Sequence, residues 1–281
     1  LASPRDRRSA IAISAKPAVG FIGLGSQGGP MAARIVEAGF SLRLWARRPE
    51  SLTPYADTNA QNADTVEALG AACDIVCICV VDDAGVMQLT EQLLPVMRAG
   101  TYLVIHSTIN PNTCVALAAK FAARGIAVVD APVSGGGGAA AAGTLTVMAG
   151  GEAADIAAVR PVFETFSGLI THLGGVGAGQ YAKLVNNTLL AANMAVADAA
   201  LGAGAALGLN KTALTELIKA SSGRSYGFEI CARLPEVTMF SHGGKLLAKD
   251  VGLLGAVLGD DPNFVTLQAA AGPFLEKVLR P

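Results

Sequence analysis

Aromatic residues are scarce in this 281-residue chain: they make up 5% of it, with one tryptophan, and only three histidines occur. Charge is scarce too, at 15% of residues, and the formal net charge is −1. Such a balance leaves no electrostatic footprint for a nucleic acid or an anionic membrane surface, and no partner of either kind is expected. The five cysteines are odd in number and form no C-x-x-C pair. Cys77 and Cys79 stand two apart in a strand-like run, so they are expected to share a face as buried thiols rather than to bind metal or pair in a disulfide. A reducing cytoplasm suits them. His106, His172 and His242 have no evident metal partner, so each is expected to be structural or solvated, and no metal is expected. No apolar stretch of about 20 residues runs free of turn signals and polar residues, so no membrane span is expected.

What is abundant is small and apolar. Hydrophobic residues reach 52% and glycines number 33. The length suits one large domain or two ordinary ones, and the composition supports a large core. The first 18 residues carry Arg5, Arg7 and Arg8 among serines, like a transit peptide, but Pro4 and Asp6 argue against one. A flexible leader over 1–18 is the expectation.

Strand and helix signals then alternate. Strands are expected at 19–22, 41–45, 74–81, 101–106 and 126–130. Helices are expected at 30–38, at 64–69 with Asp64 as N-cap, and at 111–124. Alternation of this kind implies right-handed βαβ crossovers and a doubly wound, mostly parallel sheet. One more strand at 144–148 and a helix at 153–166 follow. After Gly179 strand signals nearly vanish. Residues 180–207 form a long Ala-rich run, apolar almost all round, which predicts a helix buried among other helices. Further helices are expected at 211–220, 226–240, 246–258 and 263–279. The expected organisation is therefore an α/β Rossmann domain over 19–177 and an all-helical domain over 178–281, joined by a long interdomain helix.

Three segments carry chemistry. The first is Gly23-Leu24-Gly25-Ser26-Gln27-Gly28, placed directly after a strand and before a helix. Gly23 suits a sharp turn, Gly25 lets a pyrophosphate approach the backbone, and Gly28 lets the helix pack closely on the strand. The acidic residue that would hold a ribose 2′-hydroxyl belongs about 20 residues on, at the end of the second strand. That position reads Ala46-Arg47-Arg48-Pro49. Two guanidinium groups suit a 2′-phosphate, so NADP is favoured over NAD.

The second segment is Asp130-Ala-Pro-Val-Ser134-Gly135-Gly136-Gly137-Gly138. Each glycine of such a run costs backbone entropy. A nest of N–H groups at Ser134, Gly135 and Gly136 would bind a substrate carboxylate, and a plain flexible loop is the competing reading. The third segment is Gly177-Ala-Gly-Gln-Tyr-Ala-Lys183, with Asn187 one helical turn beyond the lysine. A lysine in a partly dry pocket has a lowered pKa and can move a proton near neutrality. The competing reading is a lysine whose head snorkels to water. Arg224 and Tyr226 fall where a loop of the second domain is expected to reach the substrate tail.

Together these segments resemble the β-hydroxyacid dehydrogenase family, which includes 3-hydroxyisobutyrate and tartronate-semialdehyde-type enzymes. Gly20–Gly28 is similar to its cofactor motif, Asp130–Gly136 to its substrate motif, and Gly177–Lys183 with Asn187 to its catalytic motif. Lys249-Asp250-Val-Gly-Leu253 is similar to its C-terminal cofactor motif. The likeness runs from about residue 18 to 258. It implies a site in the cleft between the two domains and the reversible oxidation of a 3-hydroxy acid to its semialdehyde. By resemblance Lys183 is the general acid/base, and Ser134, Gly135 and Asn187 hold a small carboxylate substrate. Lys249 and Ser107-Thr108 lie near the nicotinamide, Val80-Val81 lie along the cofactor, and Asp250 helps close the site. Three departures stand out. Gln27 replaces the usual Met, Arg47-Arg48 replaces the commoner Asn-Arg, and the match fades after residue 258. Rival readings are an imine reductase of the same fold, against which Lys183 argues, and a non-catalytic NADP-binding protein. A 6-phosphogluconate dehydrogenase would need a larger helical domain. The apolar connecting helix predicts a homodimer or homotetramer.

Overall fold

The computed structural model describes residues 16–280. Most of the expected leader lies outside the described residues, but its end is held. Lys16 Nζ donates to the Ala38 carbonyl, and the Ala18 N–H donates to the Asp74 carboxylate at 2.9 Å. The chain divides into two compact units. One holds the residues up to Ser107 together with Pro111–Gly179. The other holds Thr108–Asn110 and the chain from Gln180 onward.

In the first unit β1 (Val19–Ile22) leads to α1 (Gly28–Glu37) and β2 (Leu42–Trp45). A 3₁₀ segment (Pro49–Tyr55), β3 (Gln61–Asn62), α2 (Val66–Ala72), β4 (Ile75–Ile78), α3 (Asp83–Leu93) and β5 (Tyr102–Ile105) follow. Then come α4 (Pro111–Ala122), β6 (Ala127–Asp130), β7 (Val133–Ser134), α5 (Gly136–Ala142), β8 (Leu145–Gly150), α6 (Ala153–Phe163) and β9 (Ser167–Gly174). The sheet order is β3-β2-β1-β4-β5-β6-β8-β7, with β9 on β8. Pairing is parallel except where β8 runs antiparallel to β6 and β7. β1 sits centrally, Phe21 lying beside Leu44 on one flank and Cys77 on the other. Strand order reverses at β1 and β4, and in open α/β sheets that reversal creates the crevice where ligands bind, at the carboxyl ends of the strands. All four residues of β1, β4 and β6 are buried, as parallel strands covered on both faces require. Phe21, Met31, Ile35, Leu44, Phe163 and Phe166 form much of the core around them.

Several local expectations differ from the structure. Helix α2 is capped by Thr65, whose side chain accepts from the Ala68 N–H at 3.0 Å, not by Asp64. Both residues suit a cap, and the register of the helix decides between them. Helix α3 is capped by Asp82 and went unread, because its apolar spacing follows closely on the buried run of β4. β9 was also unread; its residues are largely exposed and it carries no alternation of buried and exposed positions.

The second unit is helical. α7 (Ala178–Ala206) begins in the first unit and is followed by α8 (Lys211–Ala220) and α9 (Tyr226–Arg233). A 3₁₀ turn (Val237–Phe240), α10 (Ser241–Leu258) and α11 (Pro262–Leu279) complete it. The expected helix over 226–240 breaks at Leu234, which adopts extended geometry ahead of Pro235. α7 is long and apolar enough to cross a bilayer, with mean hydropathy 1.4 over its most apolar window. Leu184, Ala191 and Met194 are fully buried and make it a core helix of this unit. It is not buried all round, however. Only 33% of that apolar window is buried, and Tyr181, Val185, Leu189 and Val196 are exposed.

Thr65→Ala removes the cap of α2 and is expected to cost about 1 kcal/mol. Thermal unfolding should show a melting temperature lower by about 2–4 °C, whereas Asp64→Ala should leave it unchanged; the reverse pattern would place the cap at Asp64.

Candidate active site

The turn from β1 into α1 is built by close backbone approach. Gly23 has φ 101°, and a Cβ there would stand 2.1 Å from the Cys79 carbonyl oxygen. A Cβ at Gly28 would stand 2.0 Å from the Gly23 carbonyl oxygen. Gly25 differs: nothing lies within 4 Å of its would-be Cβ, so its face is open. Gln27 stands at the N-cap of α1 and makes no side-chain capping bond. An uncapped helix N-terminus beside an open glycine presents N–H groups and a positive dipole end, which fits the pyrophosphate of a dinucleotide. Leu24 is half-buried beside this turn, while Gly25 and Ser26 are exposed.

Neighbouring strand ends extend the surface. The Val80 N–H donates to Ser107 Oγ at 2.8 Å and ties the segment after β4 to the end of β5. Val81, next along, is 70% exposed. Arg47 and Arg48 follow β2 and are exposed. Arg48 Nε lies 3.9 Å from Glu50 Oε1, a loose surface pair that leaves its donors available. Ser134 ends β7, Gly135 has φ 130°, and α5 starts at Gly136. The glycine run is therefore the first turn of a helix and not a loop. Ser134, Gly135 and Gly136 stand together at its N-terminal end.

A second set of polar groups is buried in the helical unit. Lys183 and Asn187 are each 8% exposed, and Asp250 is 3% exposed. Asn187 Nδ2 donates to Asp250 Oδ2 at 2.6 Å, joining α7 to α10. Lys249 Nζ lies 3.1 Å from Asp250 Oδ1 in an ion pair and donates to the Thr108 carbonyl at 2.5 Å. The Ile109 N–H donates to Gln180 Oε1 at 3.1 Å. These bonds fasten α10 and the first turns of α7 to the segment Thr108–Asn110. Burial pushes the Lys183 ammonium down to about 8; the nearby Asp250 carboxylate opposes this shift, and Lys249 adds to it. Lys183 is thus a dry amine that exchanges its proton near neutrality, not a snorkelling surface charge.

Two buried groups brace the backbone of the first unit: Asp130, which the sequence did not single out as a support, and His106, expected to be structural or solvated. Asp130, fully buried at the end of β6, accepts the Gly177 N–H at 2.6 Å, immediately before α7. A carboxylate ending a buried strand was the available signal. His106 Nδ1 donates to the Ala131 carbonyl at 2.7 Å among the rings of Phe21, Phe163 and Phe166. Burial holds this imidazole down at about 4, so it is neutral. Arg224 precedes α9, and Tyr226 opens that helix and is exposed. Gly227 packs against Asn193 and Met194 of α7.

Both halves of the chain match known proteins. Residues 18–174 match the NAD binding domain of 6-phosphogluconate dehydrogenase. Residues 177–271 match the NAD-binding domain of NADP-dependent 3-hydroxyisobutyrate dehydrogenase. A 3-hydroxyisobutyrate dehydrogenase of Pseudomonas aeruginosa is 36% identical over 247 residues, 84% of this chain and 83% of that protein. An NAD-dependent L-serine dehydrogenase of the same species is 37% identical over 254 residues, with the same coverage. The solved 3-hydroxyisobutyrate dehydrogenase of Mycobacterium tuberculosis with L-serine superposes with a TM-score of 0.81 at 28% identity, over 93% of this chain and 94% of that one. An imine reductase of Myxococcus stipitatus, 18% identical with a TM-score of 0.57 over 95% of this chain and all of that one, shares the fold alone. With both halves matched in order and relatives above 30% identity along most of its length, the chain belongs to the β-hydroxyacid dehydrogenase family of NAD(P)-binding oxidoreductases.

Proposed function

We propose that the protein interconverts a small 3-hydroxy acid and its semialdehyde, with Lys183 as general acid/base. The observation that carries this is the buried Lys183 amine, held down at about 8 one helical turn from Asn187. The nicotinamide, when bound, exchanges hydride with the carbinol carbon. In oxidation, neutral Lys183 takes the hydroxyl proton; in reduction, its ammonium returns that proton to the carbonyl oxygen. Asn187, oriented by Asp250, has its amide fixed to hydrogen-bond the reacting hydroxyl. Ser134 with the N–H groups of Gly135 and Gly136 binds the carboxylate. Gly23, Leu24, Gly25, Ser26, Gln27 and Gly28 cradle the pyrophosphate, while Val80, Val81, Ser107, Thr108 and Lys249 serve the cofactor's length. The substrates named for the two Pseudomonas relatives, 3-hydroxyisobutyrate and L-serine, share a carboxylate with a hydroxymethyl on the adjacent carbon. That shared unit supports the substrate class. A dry lysine at the end of a polar cluster favours this chemistry over imine reduction and over cofactor binding alone. A reducing cytoplasm, where buried free thiols persist, is the location this proposal assigns.

Lys183→Ala should lose at least about a hundredfold in kcat while binding cofactor normally. In the wild type, oxidation should rise with pH through about 8, as Lys183 becomes neutral, and reduction should fall over the same range. A mutant that keeps its turnover, or oxidation flat across pH 7–9, would remove Lys183 from the mechanism. Turnover of cyclic imines but of no semialdehyde would instead establish imine reduction.

NADP is the preferred cofactor in this proposal, because Arg47 and Arg48 stand exposed after β2 where a carboxylate would otherwise hold the ribose. Arg47→Ala with Arg48→Ala should raise the KM for NADPH about tenfold or more, with little change for NADH. Equal effects on both cofactors would mean that the guanidinium groups do not read the 2′-phosphate.

A homo-oligomer follows from the apolar face of the helical unit. Tyr181, Val185, Leu189 and Val196 are exposed along α7. No residue of α8 is buried, although the helix is amphipathic, and its Leu217 is 62% exposed. A surface of this kind is covered in a stable protein, most simply by a second copy. Light scattering of the wild type should give a dimer or tetramer, and Leu189→Asp with Leu217→Asp should give a smaller species; a monomeric wild type would contradict it.

A further inference from the structure

The first turn of α5 lies directly on the loop that precedes α1. A Cβ built at Gly137 would stand 2.4 Å from the Ser26 carbonyl oxygen, too close for any side chain. The same atom built at Gly138 meets nothing within 4 Å, so of these two neighbours only Gly137 is held to glycine by close contact. At its other end α5 stops at Gly143, with φ 70°. A Cβ there would meet the Arg34 guanidinium of α1 at 3.1 Å. Arg34 is itself fixed, its Nε donating to the Thr165 carbonyl at 3.1 Å. Between these two points Met31, Ala32 and Ala140 are fully buried. Helices α1 and α5 are therefore clasped at both ends over a dry seam. One follows the glycine loop Gly23–Gly28, and the other follows Ser134-Gly135.

We propose that Gly137 is a positioning residue that couples occupancy of the dinucleotide loop to occupancy of the carboxylate site. The inference rests on the assignment of Gly23–Gly28 to cofactor and of Ser134–Gly136 to substrate. Ser26 lies inside the loop that closes around a pyrophosphate, and its peptide is the part of that loop in contact with α5. No flexible side chain separates the two backbones, so a displacement of Ser26 is transmitted to the turn that orients the N–H groups of Gly135 and Gly136. Close-packed interiors pass on small displacements in this way because they compress little. Order at one loop then lowers the cost of order at the other, and the gain is reciprocal.

The test is an equilibrium titration of NADPH fluorescence with and without saturating hydroxy acid, using whichever of 3-hydroxyisobutyrate and L-serine gives the faster turnover. Both ligands are reduced, so nothing reacts. The hydroxy acid should lower the wild-type Kd for NADPH at least about fivefold, within the usual range of such couplings. Gly137→Ala should bring the coupling factor to about one while still binding NADPH alone, and Gly138→Ala should keep the wild-type value. Should Gly137→Ala fail to fold, Arg34→Met loosens the other end of the clasp and should reduce the coupling on its own. A wild type that turns over a hydroxy acid with a coupling factor of one would overturn the inference and leave the proposed function standing. Wild-type coupling in Gly137→Ala would overturn it equally. A wild type that binds NADPH yet turns over no hydroxy acid would remove the assignment of the carboxylate site, and the coupling with it.

Discussion

The hydrogen bond from Asn187 to Asp250 governs the chemistry open to the second unit. A carboxylate 3% exposed is costly to bury unless its oxygens are used. Here one oxygen is taken by Asn187 at 2.6 Å and the other is paired with Lys249 at 3.1 Å. With both partners in place, Asp250 only moderates the shift of Lys183 and does not hold it firmly protonated. Burial remains the dominant influence, and the amine settles near 8. Against an ordinary lysine this disfavours the ammonium by about 3 kcal/mol. A lysine paired directly with the carboxylate would stay charged and would be useless as a base at neutral pH. The same bond joins α10 to α7, so the electrostatics and the packing of this unit rest on one contact.

Legibility from sequence followed how local each signal was. The dinucleotide turn was legible because three glycines, a strand and a helix sit within about twenty residues and each has one steric role. Gly23 and Gly28 fill theirs through contacts to Cys79 and to Gly23 itself. That Lys183 and Asn187 share one face of a helix was legible because one helical turn separates them; that both are buried is what the structure adds. That the run Gly135–Gly138 leads into a helix was not legible, since Gly137 packs on Ser26, 111 residues away in the chain. Helix propensity alone argues against four glycines opening a helix. The packing of α5 on α1 overrides it.

The expectation that α7 is buried all round failed for a related reason. Composition measures how apolar a helix is but not how many neighbours one copy supplies. Leu184 and Met194 find partners in α9, α10 and α11, where Phe228, Leu254 and Phe274 complete the cluster. Val185, Leu189 and Val196 are covered on one side only and remain exposed. An apolar helix with one covered and one uncovered face reads from sequence as a wholly buried one. The structure separates the two faces, one covered and the other exposed in the single chain.

Asp130 shows how a conformational requirement can look like a substrate motif. It ends β6 fully buried, and its Oδ1 accepts the Gly177 N–H at 2.6 Å, at the start of the helix that carries Lys183. Negative charge at that end is favoured by the helix dipole. Space around it is made by backbone: a Cβ at Gly150 would stand 2.5 Å from Asp130 Oδ1, and one at Gly179 would stand 2.9 Å from Oδ2. The next residue, Ala131, is gripped through its carbonyl by neutral His106. The peptide leading to Ser134 is thus held on both sides before it reaches the glycines. A short carboxylate meets all these demands at once: it caps the helix, fits between two glycines and ends a strand. Asp130 thereby ties the end of β6 to the start of α7.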